Sequence, residues 1–445
     1  MTSAVIGPGG QVGPGDVAAL MFGVFIVLVI LRVPVAFALG LAVIPVFFIE
    51  ERLTPVLLMR EMFKSYNAFV LLAVPFFLLA ANLMNAAGIT DRLIRFARTM
   101  VGHLPGGLGH VNVVVSMLFA GISGSSSADA AGIGSLLIPQ MKKEGYDTSF
   151  AVAITACSSV MGVIIPPSIL MVVWGGLMSV SIGGLFLAGV LPGLLIAASQ
   201  MLTVYIYAKR RGYPVYQRAT FAELMKAAGG ASFALMTPLI IVGGIVGGFF
   251  TPTEASVVAV VYSMFIGVFV YRSISFRQLP QILYESARFS AITLFCIGTA
   301  SAFGWCLAYF KIPAALVAQI EILGLGVVGT GVMVALAFLL IGMFIDAIPA
   351  IIILGTVLFP VAQHVGMHPI HFAIIGVVSL GFGLVTPPYG LCLLIAASIG
   401  KIRLVDALRD VVIILLPMVG VLTFIVLAPD AILALPRLLM SKYVN

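Results

Sequence analysis

Charge is what this sequence has least of. Asp, Glu, Lys and Arg make up 9% of its 445 residues, against about 25% in an ordinary soluble domain. With 62% hydrophobic residues and a mean hydropathy of +1.21, water cannot be the solvent for most of its surface. The four cysteines, Cys157, Cys296, Cys306 and Cys392, all fall inside apolar runs without zinc-like spacing. They read as buried thiols, not as a disulfide framework. His103, His110, His364, His368 and His371 show no ligand spacing and are expected at the membrane interface. No Walker motif supports an ATP-driven pump, and no basic stretch precedes Asp16 as a cleaved signal requires. The net charge of +7 is spread over short loops between apolar runs, which excludes a nucleic-acid partner and fits orientation signals.

What is present is a series of apolar runs, several long enough to cross a hydrocarbon core of about 30 Å as helix. The lipid bilayer is therefore this chain's solvent. Uninterrupted spans are expected at 66–87, 184–208, 230–250, 253–272, 288–310 and 403–428, and amphipathic stretches at 89–102, 219–228 and 274–287. The run 17–49 breaks at Arg32-Val33-Pro34 and fits one crossing or two, so the N-terminus receives no side. Four further runs are interrupted: 108–141 at Gly121–Asp129, 148–178 at Gly162–Ser168, 326–362 at Gly342–Pro349 and 369–399 at Gly383–Gly390. In hydrocarbon, irregular backbone survives only inside protein or beside a water-filled cavity. A proline kink explains one such break; four in matched positions call for another cause.

The positions are matched by a duplication. Shifting residues 121–170 by 221 lays them on 342–391 without a gap, and eleven of the fifty positions are identical. Seven of those are Gly or Pro: Gly121/Gly342, Gly134/Gly355, Pro139/Pro360, Gly145/Gly366, Gly162/Gly383 and Pro166-Pro167/Pro387-Pro388. The punctuation is kept while the apolar filler drifts, as in a true internal repeat. Five crossings separate the two copies, an odd number, so they lie in opposite orientations. The expected fold is an all-α polytopic membrane protein with an inverted repeat, each copy holding a re-entrant helical hairpin and a broken helix. Secondary transporters bind their solutes between such halves at mid-membrane.

Loop charge orients the chain. The side of the first hairpin carries Arg92, Arg95, Arg98, Lys142, Lys143, Lys209, Arg210, Arg211, Arg218, Lys226, Arg272, Arg277, Lys401, Arg403 and Arg409. The opposite side has little beyond Lys311, Arg437, Lys442 and the basic residues of 52–64. By the positive-inside rule, hairpin 1 opens from the cytoplasm and hairpin 2 from the other side.

At the breaks, half-helix N-termini suit a carboxylate, and half-helix C-termini with unwound carbonyls suit a small hard cation. One sodium site per repeat is the expectation: Ser123, Ser125, Ser126, Gly162 and Pro166 in the first, Gly342, Asp346, Gly383 and Thr386 in the second. Ser127, Asp129, Pro167, Ser168, Pro388 and Tyr389 are the candidate substrate contacts. An acid within a span is a functional candidate by default, yet Asp129 and Asp346 each suit capping of a half-helix equally well. Glu254, in Thr251-Pro-Thr-Glu254, is expected to cap the helix that follows.

At these residues the chain resembles the large membrane subunit of tripartite ATP-independent periplasmic (TRAP) transporters, the DctM-like family. The matching stretches are Gly121–Ser135, Ile165–Ser168, Phe250–Glu254, Gly342–Asp346 and Gly383–Gly390, in order along most of the chain. The resemblance implies a non-enzymatic subunit of the bacterial inner membrane that imports an organic acid, such as a C4-dicarboxylate or sugar acid, on a sodium gradient. It implies as partners a small four-helix membrane subunit and a periplasmic substrate-binding protein, with Na⁺ as coupling ion and no other cofactor. It further implies an elevator: repeats 108–183 and 326–399 move against scaffold segments 1–107, 184–325 and 400–445, and the amphipathic stretches serve as arms. An intramembrane aspartyl hydrolase using Asp129 and Asp346, or a channel, are the alternatives. The acids lack the Gly-x-Gly-Asp setting expected of such a hydrolase.

Overall fold

A computed structural model describes residues 13–50 and 52–440; Lys442 and the outer ends of segments 1–107 and 400–445 lie outside the described residues. Helices α1 (Pro14–Ile30) and α2 (Val35–Val43) part at Arg32, which takes a left-handed φ of 63° before Pro34. Then come α3 (Pro55–Tyr66), α4 (Ala73–Ala86) and α5 (Ile89–Val101), which buries Leu93 and Ala97 and turns Arg95 and Arg98 outward. The first hairpin is α6 (Gly107–Ser123) and α7 (Ser126–Lys143). The first broken helix is α8 (Thr148–Ser159), α9 (Met161–Ile164) and α10 (Ile169–Met178). The long helices α11 (Ile182–Arg211), α12 (Phe221–Val246), α13 (Pro252–Phe265) and α14 (Leu279–Tyr309) follow, then the short α15 (Ile312–Leu323).

The second hairpin pairs α16 (Val327–Gly342) with α17 (Ala347–Ala350), one π turn and α18 (Thr356–His364). The second broken helix is α19 (Pro369–Gly383) and α20 (Leu391–Gly400), and α21 (Leu404–Leu427) and α22 (Pro429–Leu439) end the described chain. Among the described residues eight helices are long and apolar enough to cross a membrane. Large apolar side chains such as Ile30, Phe48 and Leu416 lie uncovered by this chain, as lipid contact requires.

The duplication read from the sequence reappears in the order of the elements and in where several of them begin and end. Thr148 and Pro369, 221 apart, both begin a broken helix, and Ser126 and Ala347 both begin a hairpin's second arm. Both second arms end alike. Gly145 and Gly366 take left-handed φ of 85° and 78°. Tyr146 N–H then bonds Met141 O at 3.0 Å and Met367 N–H bonds Ala362 O at 2.9 Å. Only glycine adopts that C′ conformation without a Cβ penalty, which is why these two positions kept it. The copies also meet as a two-fold demands. A Cβ built on Gly381 would lie 2.7 Å from Val160, its own repeat equivalent. Around that point α20 packs on α7 and α8, and α10 packs on α19 and the second hairpin. Trp174 of α10, Phe338 of α16 and Phe372 of α19 seal the junction, with Trp174 ring centroids 5.4 Å from each phenylalanine.

Two expected arms are corrected. Residues 219–228 and 274–287 are not separate interfacial stretches; most of each is the first turns of α12 and α14, which run on as spans. Gly229-Gly230 costs roughly 1 kcal/mol per residue in a helix interior, too little to stop a helix already capped by Thr220 and Glu223. Two histidines are corrected too. His110 and His371 are 2% and 1% exposed instead of interfacial, and His371 Nε2 bonds Ile425 O at 2.8 Å, joining α19 to α21.

A polar knot ties α8, α11 and α21 at one end of the bundle. Asp410, 3% exposed, accepts from Ser149 Oγ at 2.7 Å, Tyr207 Oη at 3.1 Å and Arg211 Nη2 at 3.0 Å. Arg211 Nη1 reaches Asp147 at 2.7 Å. Replacing Asp410 with Ala leaves three donors unpaired, so stability in detergent is expected to fall by about 2–3 kcal/mol. A thermal transition equal to that of the parent protein would contradict this.

Candidate functional site at the two helix breaks

Gly124 closes α6 with a left-handed φ of 62° and Ser125 opens α7 from an extended φ of −141°. The carbonyl end of one helix and the N–H end of the next therefore meet at one tip. Asp129, in the first turn of α7, is 0% exposed. Its Oδ1 accepts from the Ser123 hydroxyl, while its Oδ2 is buried without a partner. Ser123 Oγ also accepts from Ser125 N at 3.3 Å, and the Ser125 and Ser127 hydroxyls lie 3.2 Å apart.

The break of the first broken helix lies against this tip. Ile165 turns extended, the Pro166-Pro167 peptide is cis, and Ser168 restarts the helix. The Ser168 hydroxyl is used for that restart: it accepts from Met171 N at 3.3 Å and donates to Val163 O at 2.7 Å. Ile169 N bonds Gly124 O at 3.2 Å, fastening break to tip. Gly162 makes the contact close, for a Cβ there would meet Asp129 Oδ2 and come within 2.9 Å of the Ser125–Ser126 backbone.

The second repeat repeats the device. Tyr389 N, just past the cis Pro387-Pro388 peptide, bonds Met343 O at 3.0 Å. A Cβ on Gly383 would lie 2.7 Å from Gly342 backbone. Asp346 caps α17, accepting from Ala347 N at 2.8 Å, so one of its two open roles is filled. Thr386 Oγ1 donates to Phe382 O at 2.7 Å and keeps its lone pairs. The halves differ in cover: Pro166 and Pro167 are buried, whereas Pro388 and Tyr389 are exposed.

Periodicity and punctuation miss two groups that tertiary packing supplies. Cys392 lies buried where α20 packs on α7, which carries Ser126, and on α8, which ends at Ser159. Ser159 donates to Ala156 O at 2.7 Å. Neither residue lies in a break; each is found only once α20 is seen against α7 and α8. Behind them, Asn112 bonds Thr155 at 2.7 Å and accepts from Ser158 at 2.9 Å, locking α6 to α8. Glu254 forms the expected capping box with Thr251, at 2.8 Å to its amide.

Residues 22–431 match the family described as the tripartite ATP-independent periplasmic transporter, DctM component. The chain belongs to this family. Among its relatives is the sialic acid TRAP transporter large permease protein of Vibrio cholerae serotype O1, 38% identical over 86% of this chain and 90% of that one. The C4-dicarboxylate TRAP transporter large permease protein of Rhodobacter capsulatus is 36% identical over 95% and 99%. The 2,3-diketo-L-gulonate TRAP transporter large permease protein of Escherichia coli K12 is 33% identical over 93% and 96%. In fold the chain is similar to the Alcanivorax borkumensis YdaH transporter, with a TM-score of 0.60 over 83% of this chain and 87% of that one at 14% identity. A DctM-component chain is a transport subunit and not an enzyme, and the hydrolase reading falls.

Proposed function

We propose that this permease subunit imports an organic acid across the bacterial inner membrane, coupled to sodium entry at the two helix breaks. The observation that carries the reading is the orphaned Oδ2 of Asp129. A buried carboxylate without a counter-charge costs several kcal/mol, and a cation held between the Ser-rich tip and the Gly162 break offsets that cost. This groups Asp129 with Ser123, Ser125, Ser126, Gly162 and Pro166 in the first cation site. Gly342, Asp346, Gly383 and Thr386 are the donors of the second. Ser127, Pro167, Pro388 and Tyr389 are left to border the substrate, with Ser168 holding the shape of the break.

The three relatives' named solutes, sialic acid, C4-dicarboxylates and 2,3-diketo-L-gulonate, are all carboxylates, the chemistry that half-helix N-termini favour. The partners in this reading are a small membrane subunit and a periplasmic binding protein that delivers the acid; one relative is named as a combined DctMQ permease. Hairpin 1 opens from the cytoplasm and hairpin 2 from the periplasm, and repeats 108–183 and 326–399 move together as an elevator against the remaining helices. The unequal cover of the two breaks supports alternating access, in which one half closes while its inverted copy opens.

Ser126→Ala and Thr386→Ala test the assignment. Each is expected to raise the sodium concentration for half-maximal uptake about three- to tenfold, by removing one oxygen ligand, without lowering expression. Parental sodium activation curves in both variants would refute the sites.

A further inference from the structure

Between α5 and the start of α12 lies an open groove of about 780 Å³ that the transport reading leaves unused. Both walls are basic: Arg95 and Arg98 come from α5, Arg218 from the preceding loop and Lys226 from α12. None of the four has an ion-pair partner among the described residues. Arg92 adds a fifth cation, fixed by the Ala87 and Gly88 carbonyls at 3.0 and 2.8 Å and stacked 3.7 Å over Tyr271. The acid in the lining, Glu223, is occupied elsewhere, accepting from Thr220 N and Oγ1 at 2.8 and 2.9 Å. Arg98 lies 4.2 Å over the Tyr216 ring, and the Tyr216 hydroxyl is buried without a partner. Five cations and one spent anion thus surround a space with an unpaired phenol at its side.

The setting selects the occupant. Beyond the groove α12 continues into its apolar part with Phe233, Met236 and Leu239 uncovered. A basic recess at the head of an uncovered apolar helix matches a molecule with a phosphate at one end and hydrocarbon at the other. We propose that the groove binds the headgroup of an anionic phospholipid, with Arg95, Arg98, Arg218 and Lys226 on the phosphate and the acyl chains along α12. Arginine forks suit phosphate oxygens, and basic recesses between membrane helices are known to hold anionic headgroups. Such a lipid bridges α5 to α12 and steadies the one arm that is a helix of its own.

The test uses the full chain purified in detergent, with phosphatidylglycerol, phosphatidylcholine and inorganic phosphate each titrated by native mass spectrometry. Phosphatidylglycerol is expected to bind about tenfold more tightly than phosphatidylcholine. The preference should vanish in an Arg95→Gln, Arg98→Gln, Arg218→Gln, Lys226→Gln variant that still elutes as a single species. Lys226→Gln alone, a milder change, should weaken phosphatidylglycerol about threefold. Equal binding of the two lipids, or an intact preference in both variants, overturns the proposal. So does displacement of the lipid by millimolar phosphate, which would make the site one for a free anion. Loss of the preference in the complex with the small subunit would show a protein in the groove and overturn it equally.

Discussion

Asp129→Asn is expected to cut sodium-driven uptake by about two orders of magnitude while leaving the purified protein as stable as its parent, or more so. Asparagine keeps the side-chain volume and can still accept from Ser123, so the tip need not move. What it removes is the negative charge whose Oδ2 has no partner in the protein. Loss of one charged ligand in a water-poor site corresponds to roughly 3 kcal/mol of cation binding, or about a hundredfold in affinity. The fold gains by the same change, because a buried unpaired carboxylate is a liability until a cation arrives. The two readouts separate function from folding. Asp129→Asn protein that transports with a parental sodium curve would show that the acid is structural. Protein that loses uptake only because it fails to fold would show that the charge supports the tip and not the ion.

Gly383→Ala is expected to be nearly as damaging for a different reason. A methyl there would stand 2.7 Å from the Gly342 backbone and 2.8 Å from Leu339 O, and backbone cannot swing aside as a side chain can. Overpacking of this kind costs about 1–3 kcal/mol, and here it forces hairpin 2 off the second break. Gly162→Ala should act likewise in the first repeat, since its methyl would meet Asp129 and the Ser125–Ser126 backbone. Uptake is expected to fall at least about tenfold in either variant, with a lowered thermal transition. Gly420→Ala is the control: nothing lies within 4 Å of its Cβ, and in mid-helix alanine should be neutral or better by up to about 1 kcal/mol. If Gly383→Ala behaved as Gly420→Ala does, the hairpin and the broken helix would not be in the contact described.

The repeated glycines and prolines, Gly121, Gly162, Pro166-Pro167 and their copies 221 residues on, announce the hairpins and broken helices but bound them too widely. Gly121 and Gly162 are themselves helical, and the chain leaves the helix only at 124–125 and 165–168. The sequence even held the reason that Gly145 and Gly366 persist, since both are left-handed caps. What packs against the breaks was not legible. Ser159 ends α8 and Cys392 stands in the first turn of α20, and only the packing of α20 on α7 and α8 brings those elements together. Hydropathy also drew a boundary near residue 228 that the helix ignores, because charge marks depth in the membrane and not where hydrogen bonding stops. The buried His110 and His371 show the converse: residue type suggested the interface, and packing of α6 and α19 placed them inside.

In the proposed mechanism two inverted repeats couple an organic acid to sodium. Purified permease, small subunit and binding protein in proteoliposomes, loaded with an inward sodium gradient and no ATP, test it most directly. Accumulation of a carboxylate above its outside concentration is expected, collapsing when sodium is equilibrated or the binding protein is left out. Accumulation that is indifferent to sodium, or flux that only follows the solute's own gradient, would contradict it.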